Sequence, residues 1–470
     1  MNDRPLCFVL MPFGQKRDPA GGPDIDFDRV YEDAIRPGIE AAGMEPVRAD
    51  EERTGGIIHR AMFERLLLCD FAVADLTTAN ANVFYELGVR HAARPATTLP
   101  IFAGRQMPPF DVNYLRALPY ELDERNRLGA REAGLLREAL TRRLTQLRDL
   151  AREDAVADSP VFQLLKDEYR EPDIARLKTD VFRDRVRYAA GLKRRLAGAR
   201  EAGDVEALAA IEAELGPPDA AEAGVLIDLF LSYRAVEEWG RMIELYERLP
   251  ATLRRAVMLR EQLALALNRA KRRREAVEVL EQLIEEQQGG SSETYGILGR
   301  VYKDTWADES RAAREAAAAG DEAAASRHAA AAAGHLERAA GAYVRGFEAD
   351  WRDAYPGINA VTLLDIRGDQ DSLRRKAELM PVVRFAVAQR LKSAAADYWD
   401  HATMLELSVL DGDEAEARAH LGRALAAVRE KWEPRTTANN LTLLRDARRA
   451  RGRAEPWLDE IITQLEGRAK

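Results

Sequence analysis

The chain has 470 residues, 46% of them hydrophobic, which is enough for two to four domains with real cores. Its 79 acidic residues outnumber 70 basic ones, for a net charge of -9. That balance argues against a nucleic-acid partner, which would need a concentrated basic surface.

The N-terminal stretch MNDRPLCFVLMPFG carries an acid and a proline ahead of a short apolar run that stops at Pro12. It fits neither a signal peptide nor a spanning helix, so no membrane association is expected. Cys7 and Cys69 lie in apolar runs that read as buried. They offer no disulfide framework and no Cys-x-x-Cys metal site, and the expected compartment is the cytosol.

LCFVLMP is a continuous apolar run suited to a buried parallel strand. FDRVYEDAIRPGIEAAGM repeats apolar residues at helical spacing (Phe27, Val30, Tyr31, Ile35, Ile39) and closes on Gly43. EPVRAD then reads as a short strand, GGIIHRAMFERLLLC as a helix, DFAVADL as a second buried strand and NVFYELGVRHAA as a third helix. TTLPIFA and LPYEL are the last candidate strands. Such alternation with short connections predicts a parallel sheet covered by helices, of the flavodoxin or TIR type.

Beyond residue 130 the strand signal vanishes and the chain reads as helix rich in Ala, Leu, Arg and Glu. In YGILGRVY, Tyr295, Leu298, Gly299 and Tyr302 match the W-x2-L-G-x2-Y spacing of a tetratricopeptide first helix, with Tyr in place of Trp. Ahead of them, Leu263, Ala264 and Leu267 followed by Ala276, Leu280 and Leu283 suggest another hairpin. Ala339, Tyr343 and Gly346 suggest a third unit, and Ala417, Leu421 and Ala424 a fourth. The Ala-rich stretch 311–334 is expected to extend a repeat helix or to form a helical insert. These readings divide the chain into an α/β domain at 1–125, a helical connector at 126–220 and a helical repeat domain at 221–470.

In open α/β sheets, ligands bind beyond the carboxyl ends of the strands. Three segments meet that condition: Met11-Pro12-Phe13-Gly14, Arg48-Ala49-Asp50, and Asp75 to Glu86. Gly14 would let backbone approach a ligand and Phe13 would stack on a base. Equally, the two make a tight turn with Phe13 plugging the core. Asn80 or Asn82 can cap the following helix, leaving Glu86 in its first turns near the positive end of the dipole. An acid so placed is expected to stay ionised at neutral pH, as a nucleophile or ion-pair stabiliser requires. The plainer reading of Glu86 is a salt bridge to Arg90 at i,i+4. Asp75 is either a ribose or base contact or a cap for the next turn. His59 and His91 have no metal-ligand spacing, and no metal site is expected. There is no P-loop, GxGxxG, GxSxG or kinase signature set.

CFVLMPFG, the segment from Ile25 to Glu51, GGIIHRAMFERLLLCDFAVADLTTANANVFYELGVRHA, LGRVYKD and YPGINAVTLL together resemble the bacterial TRAFs-binding-domain family. Its helical half is similar to the central regulatory region of apoptosis signal-regulating kinases. With no kinase domain in this sequence, kinase activity is not part of what the resemblance implies. The N-terminal domain also resembles the group that joins nucleoside 2-deoxyribosyltransferases and TIR-like domains, through the element N-x-NV-x-YELG: Asn80, Asn82, Val83, Tyr85, Glu86, Leu87 and Gly88. In that group the glutamate attacks or stabilises the anomeric carbon of an N-glycoside, which implies the same role for Glu86. Deoxyribosyltransferases often carry an aspartate where this chain has Asn80, a departure that shifts weight towards NAD cleavage or nucleotide sensing.

The resemblance implies a cytosolic signalling or defence protein. Its α/β domain would bind NAD or a related nucleotide and hydrolyse the N-glycosidic bond, with no further cofactor. Met11, Pro12, Phe13, Gly14, Arg48, Asp50, Asp75, Asn80, Asn82 and Tyr85 would contact the ligand, and Glu86 would be catalytic. The repeats would recognise a protein partner or assemble the chain with itself. The alternatives are a non-catalytic nucleotide-sensing scaffold and a nucleoside deoxyribosyltransferase or hydrolase.

Overall fold

A computed structural model describes residues 4–18, 22–48, 59–104, 117–152, 158–165, 169, 179–218, 221–392 and 397–469. The chain forms two compact units, one of residues 1–238 with 248–256 and the other of 239–247 with 257–470.

The first unit is built on five strands: β1 (Leu6–Leu10), β2 (Glu45–Arg48), β3 (Phe71–Asp75), β4 (Thr98–Ala103) and β5 (Leu118–Tyr120). All pairings are parallel and the order is β2-β1-β3-β4-β5. This is the flavodoxin-like doubly wound order, as the β-α alternation predicts, and its strand order reverses between β1 and β3. The side chains of β1 explain why the run is apolar throughout. Cys7 and Val9 enter one core with Ile35 and Ile39, while Leu6, Phe8 and Leu10 enter another with Leu66 and Leu87. A strand buried on both faces has no solvent side on which to alternate.

The first core is closed by the helical run Phe27–Val30, Tyr31–Ile35 and Arg36–Ala41, whose middle turn is π-helical. The helix Ala130–Arg152 joins it there, placing Leu136, Leu140 and Leu144 in the same core. The second core is closed by the helices His59–Leu68 and Ala81–Ala93.

The second unit is a series of antiparallel hairpins. The pairs are Val257–Arg269 with Arg273–Glu286, Ser292–Ala318 with Glu322–Ala349, Ala354–Arg367 with Gln370–Leu391, Tyr398–Asp411 with Glu414–Ala426, and Trp432–Ala450 with Pro456–Ala469. Each first helix packs on the first helix of the next hairpin. Many starts are fixed by an acid at the N-cap. Asp353, Asp369 and Asp413 each accept a backbone N–H of the first turn, and Asp397 forms a capping box with Asp400.

The repeat spacing read from the sequence needs one correction. Ala339, Tyr343 and Gly346 do not open a unit of their own; they lie on the helix Glu322–Ala349, the partner of the YGILGRVY helix. Gly299 and Tyr343 show why they were legible as a repeat. A Cβ on Gly299 would stand 2.8 Å from the Tyr343 ring, so the small residue is what lets the two helices close. The Ala-rich stretch extends both helices of this hairpin and turns at Gly320, with most of its side chains exposed.

Candidate functional site

The carboxyl edge of the sheet is organised by backbone turns. After β1, Met11 and Pro12 are buried, and Phe13 packs against both cores. Gly14 has a φ of +61°, the left-handed region that favours glycine. Its N–H donates to Asp28 Oδ1 at 3.1 Å and its carbonyl accepts from Phe27 N at 3.1 Å. The tight turn and the Phe13 plug are therefore both present.

Arg48 ends β2 with its side chain almost wholly enclosed. Its guanidinium lies 5.0 Å from the Phe13 ring centre and 4.5 Å from that of Tyr31, and it pairs with Asp28. A ligand contacting Arg48, as expected from the sequence, would compete with Asp28, a partner that sequence reading did not identify. Asp28 sits in the first turn of a helix, where an acid is ordinarily taken as a dipole contact. Asp50, with Ala49, lies outside the described residues.

Asp75 closes β3 and is 1% exposed. It accepts from Thr77 N at 3.0 Å, Thr77 Oγ1 at 2.5 Å and the Tyr120 hydroxyl at 2.9 Å. Of its two expected roles, the structure has the cap for the following turn. Burial pushes its carboxyl up to about 6, against the lowering effect of these hydrogen bonds. Thr77 and Tyr120 are further residues of this edge that sequence reading missed.

The turn after β3 runs through Ala79 at a φ of +48°, a left-handed conformation unusual for a residue with a Cβ. Asn80 then caps the helix Ala81–Ala93, accepting from Asn82 N at 2.9 Å and Val83 N at 3.3 Å. The Asn82 side chain is exposed. So is Tyr85 at 58%, its ring set edge-on to Phe63 with centres 6.4 Å apart.

Glu86 lies on the margin of the buried stripe made by Val83, Leu87 and Arg90. Among the described residues its carboxylate has neither a hydrogen-bond nor an ion-pair partner. The i,i+4 salt bridge to Arg90 is absent because Arg90 is buried and directed elsewhere. It donates to Leu66 O and Cys69 O at 2.7 Å and to Asp70 O at 3.2 Å. Burial pushes the Glu86 carboxyl up to about 7. The expectation of an acid held ionised by the helix dipole is thus corrected. Glu86 lies beyond the first turn, where the dipole fades, and desolvation dominates.

Neighbouring titratable groups are inert. Burial, and then Arg90, lowers His91 to about 4, while burial raises the Cys69 thiol to about 12. Both cysteines are free thiols. Among the described residues no His, Cys, Asp and Glu cluster could hold a metal, and no helix is long and apolar enough to cross a membrane.

The chain thus joins a doubly wound parallel-sheet unit to a unit of helical hairpins. A family model for the MAP3K TRAFs-binding domain matches residues 83–463, and the chain belongs to that family. It is 25% identical over 257 residues to mitogen-activated protein kinase kinase kinase 15 of Mus musculus, covering 51% of this chain and 18% of that protein. It is 28% identical over 251 residues to mitogen-activated protein kinase kinase kinase nsy-1 of Caenorhabditis elegans, covering 49% of this chain and 15% of that protein. The chain thus matches less than a fifth of the length of these relatives. A solved tetratricopeptide repeat protein from Parabacteroides merdae aligns with 60% of this chain and 98% of its own, at 12% identity and a TM-score of 0.33.

Proposed function

We propose that this is a signalling protein whose helical unit recognises a protein partner and whose sheet unit is a TIR-like N-glycosidase acting on NAD or a related nucleotide. Family membership supports the first half, since hairpin arrays present extended surfaces to other proteins. One observation carries the second: Glu86 is a partly buried carboxylate near neutrality with no partner among the described residues. Structural acids in such surroundings are ordinarily paired, because desolvating a charge without compensation is costly.

In this reading the ribosyl C1′–N bond to nicotinamide breaks through a dissociative transition state. The ionised fraction of Glu86 stabilises the positive charge developing at the anomeric carbon. Water then forms the new C–O bond and releases its proton. The Phe13-Gly14 turn and the Asn80-capped turn flank the point where the strand order reverses, the position at which doubly wound sheets take their ligands. An Ala79 held in a left-handed conformation is the kind of backbone strain that collects at such sites.

The second reading, a nucleotide-sensing scaffold without catalysis, is favoured by Asp75 and Arg48. Both were expected to contact ligand, and both are engaged by protein groups. The deciding experiment incubates the protein with NAD and a nucleoside panel and follows free base. Release from NAD that is lost in Glu86→Gln supports the glycosidase. Nucleotide binding with no release under any condition supports the scaffold. Release from nucleosides alone points to a nucleoside hydrolase or transferase.

A further inference from the structure

The first helices of the hairpins line most of an open cavity of about 930 Å3 in the helical unit. Small-molecule pockets run from roughly 300 to 1,000 Å3, which makes this space ligand-sized. Sequence reading placed no site here, because its residues come from several helices distant in sequence and form no local motif.

At its wall stands the half-buried Lys303. Its ammonium donates to Asn359 Oδ1 at 3.0 Å and to Asn440 Oδ1 at 3.1 Å. Among the described residues no carboxylate comes within ion-pair distance of it. The acids of the wall are committed elsewhere. Asp400 pairs with Arg390 at 2.6 Å, and Asp353 accepts from Tyr355 N and Ser292 Oγ. Asp304 accepts from Asn268 Nδ2 at 2.7 Å. Glu406 accepts from Asn440 Nδ2 at 3.3 Å, and burial pushes its carboxyl up to about 7, so it only partly balances Lys303 at neutral pH. Arg300 adds a second cation on the same wall. A half-buried ammonium held by two amide oxygens, with no carboxylate at ion-pair distance among the described residues, is a favourable place for an added anion.

The opposite character is supplied by indole rings. Trp399 and Trp432 both line the cavity, their centres 5.6 Å apart and their planes 38° from parallel, and Trp432 is 51% exposed. An exposed indole in the cavity that also holds Lys303 and Arg300 offers a planar face near an anion site.

From this juxtaposition we infer that the helical unit carries a small-molecule site of its own, for an anion bearing a planar ring, with Lys303 and Arg300 meeting the anionic group and Trp399 and Trp432 the ring. A nucleoside phosphate and an aromatic carboxylate share that chemistry.

The test titrates the full chain with adenosine monophosphate, indole-3-acetate, inorganic phosphate, adenosine and an acidic peptide, following tryptophan fluorescence and calorimetric heat. At least one ring-bearing anion should bind about tenfold or more tightly than either phosphate or adenosine, and which one it is separates the two sources. Lys303→Gln and Trp432→Ala should each weaken it by about tenfold or more at unchanged circular dichroism, while Glu86→Gln leaves it unchanged. The proposal is overturned if no ring-bearing anion binds below the millimolar range. It is equally overturned if affinity survives both cavity variants, or if the acidic peptide binds more tightly than every small anion.

Discussion

Glu86 and Arg90 stand one turn apart on the same helix and do not pair. The Arg90 guanidinium is wholly buried and closes the carbonyls of Leu66, Cys69 and Asp70 at the end of the preceding helix, while Glu86 is left with a carboxyl near 7. The two residues consequently oppose each other in their effect on stability. A carboxyl whose folded pKa is raised costs nothing below its unfolded value of about 4.5, where both states are protonated. As pH rises towards and through 7 the unfolded chain ionises more readily, and stability falls. Glu86→Gln should match wild type in thermal unfolding at pH 4 and exceed it at pH 8. After discounting for partial exposure, the gain should be about 1–2 kcal/mol, or a few degrees.

The same ionisation sets an expectation for catalysis. If the carboxylate of Glu86 stabilises the transition state, the rate of nicotinamide release should rise through pH 6–8 with an apparent pKa near 7. A profile flat over that range, measured by release of free base, would assign the limiting step to another group.

Arg90 should be far less tolerant of change. Truncation to Leu removes the donor of Leu66 O and the shorter of the two bonds to Cys69 O, while Asp70 O keeps the Thr97 hydroxyl, so a loss of about 2–3 kcal/mol is expected. Urea unfolding of Arg90→Leu, followed by circular dichroism, measures it. Lysine should not rescue it, because one ammonium cannot reach carbonyls that the guanidinium serves with two nitrogens.

How much of this was legible follows from where each signal resides. The central strands were readable because burial on both faces makes them continuous apolar runs, as in LCFVL and FAVAD. The Asn80 cap was readable because capping is local. The Glu86-Arg90 spacing permits a salt bridge, and only tertiary placement of the Leu66 and Cys69 carbonyls decides against it. The partner of Arg48 was not legible for the same reason: Asp28 reaches it from another element. In the helical unit, small and large residues recur on both helices of a hairpin, so Ala339, Tyr343 and Gly346 mimicked a new unit.

That mimicry makes a prediction at Gly299. Its alanine variant would place a Cβ 2.8 Å from the fully buried Tyr343 ring, and the two helices would have to separate. Overpacking of this kind costs about 1–3 kcal/mol. Pairing Gly299→Ala with Tyr343→Leu should recover part of the loss. Strict additivity of the two in chemical denaturation would mean that their contact does not set the helix spacing.

The last prediction concerns Arg448 and Asp365, which join two helices distant in sequence. Arg448 is 1% exposed; its Nε donates to Asp365 Oδ2 at 3.0 Å and its Nη1 to Val409 O at 3.0 Å. Lys376 donates to Asp365 Oδ1 at 2.7 Å. Burial alone would raise the Asp365 carboxyl, yet Arg448 and Lys376 hold it below its ordinary value of 3.8. The sign is therefore opposite to that of Glu86. The stabilisation is complete above the unfolded pKa and disappears as pH falls through the folded one. Asp365→Asn leaves the buried Arg448 with Glu455 and takes the carboxylate from the half-buried Lys376, and should cost about 3 kcal/mol at pH 7. The difference from wild type should narrow below pH 4, where wild type itself loses the charge. A difference unchanged between pH 7 and pH 3 in urea midpoint would show that the side chain acts there through shape alone.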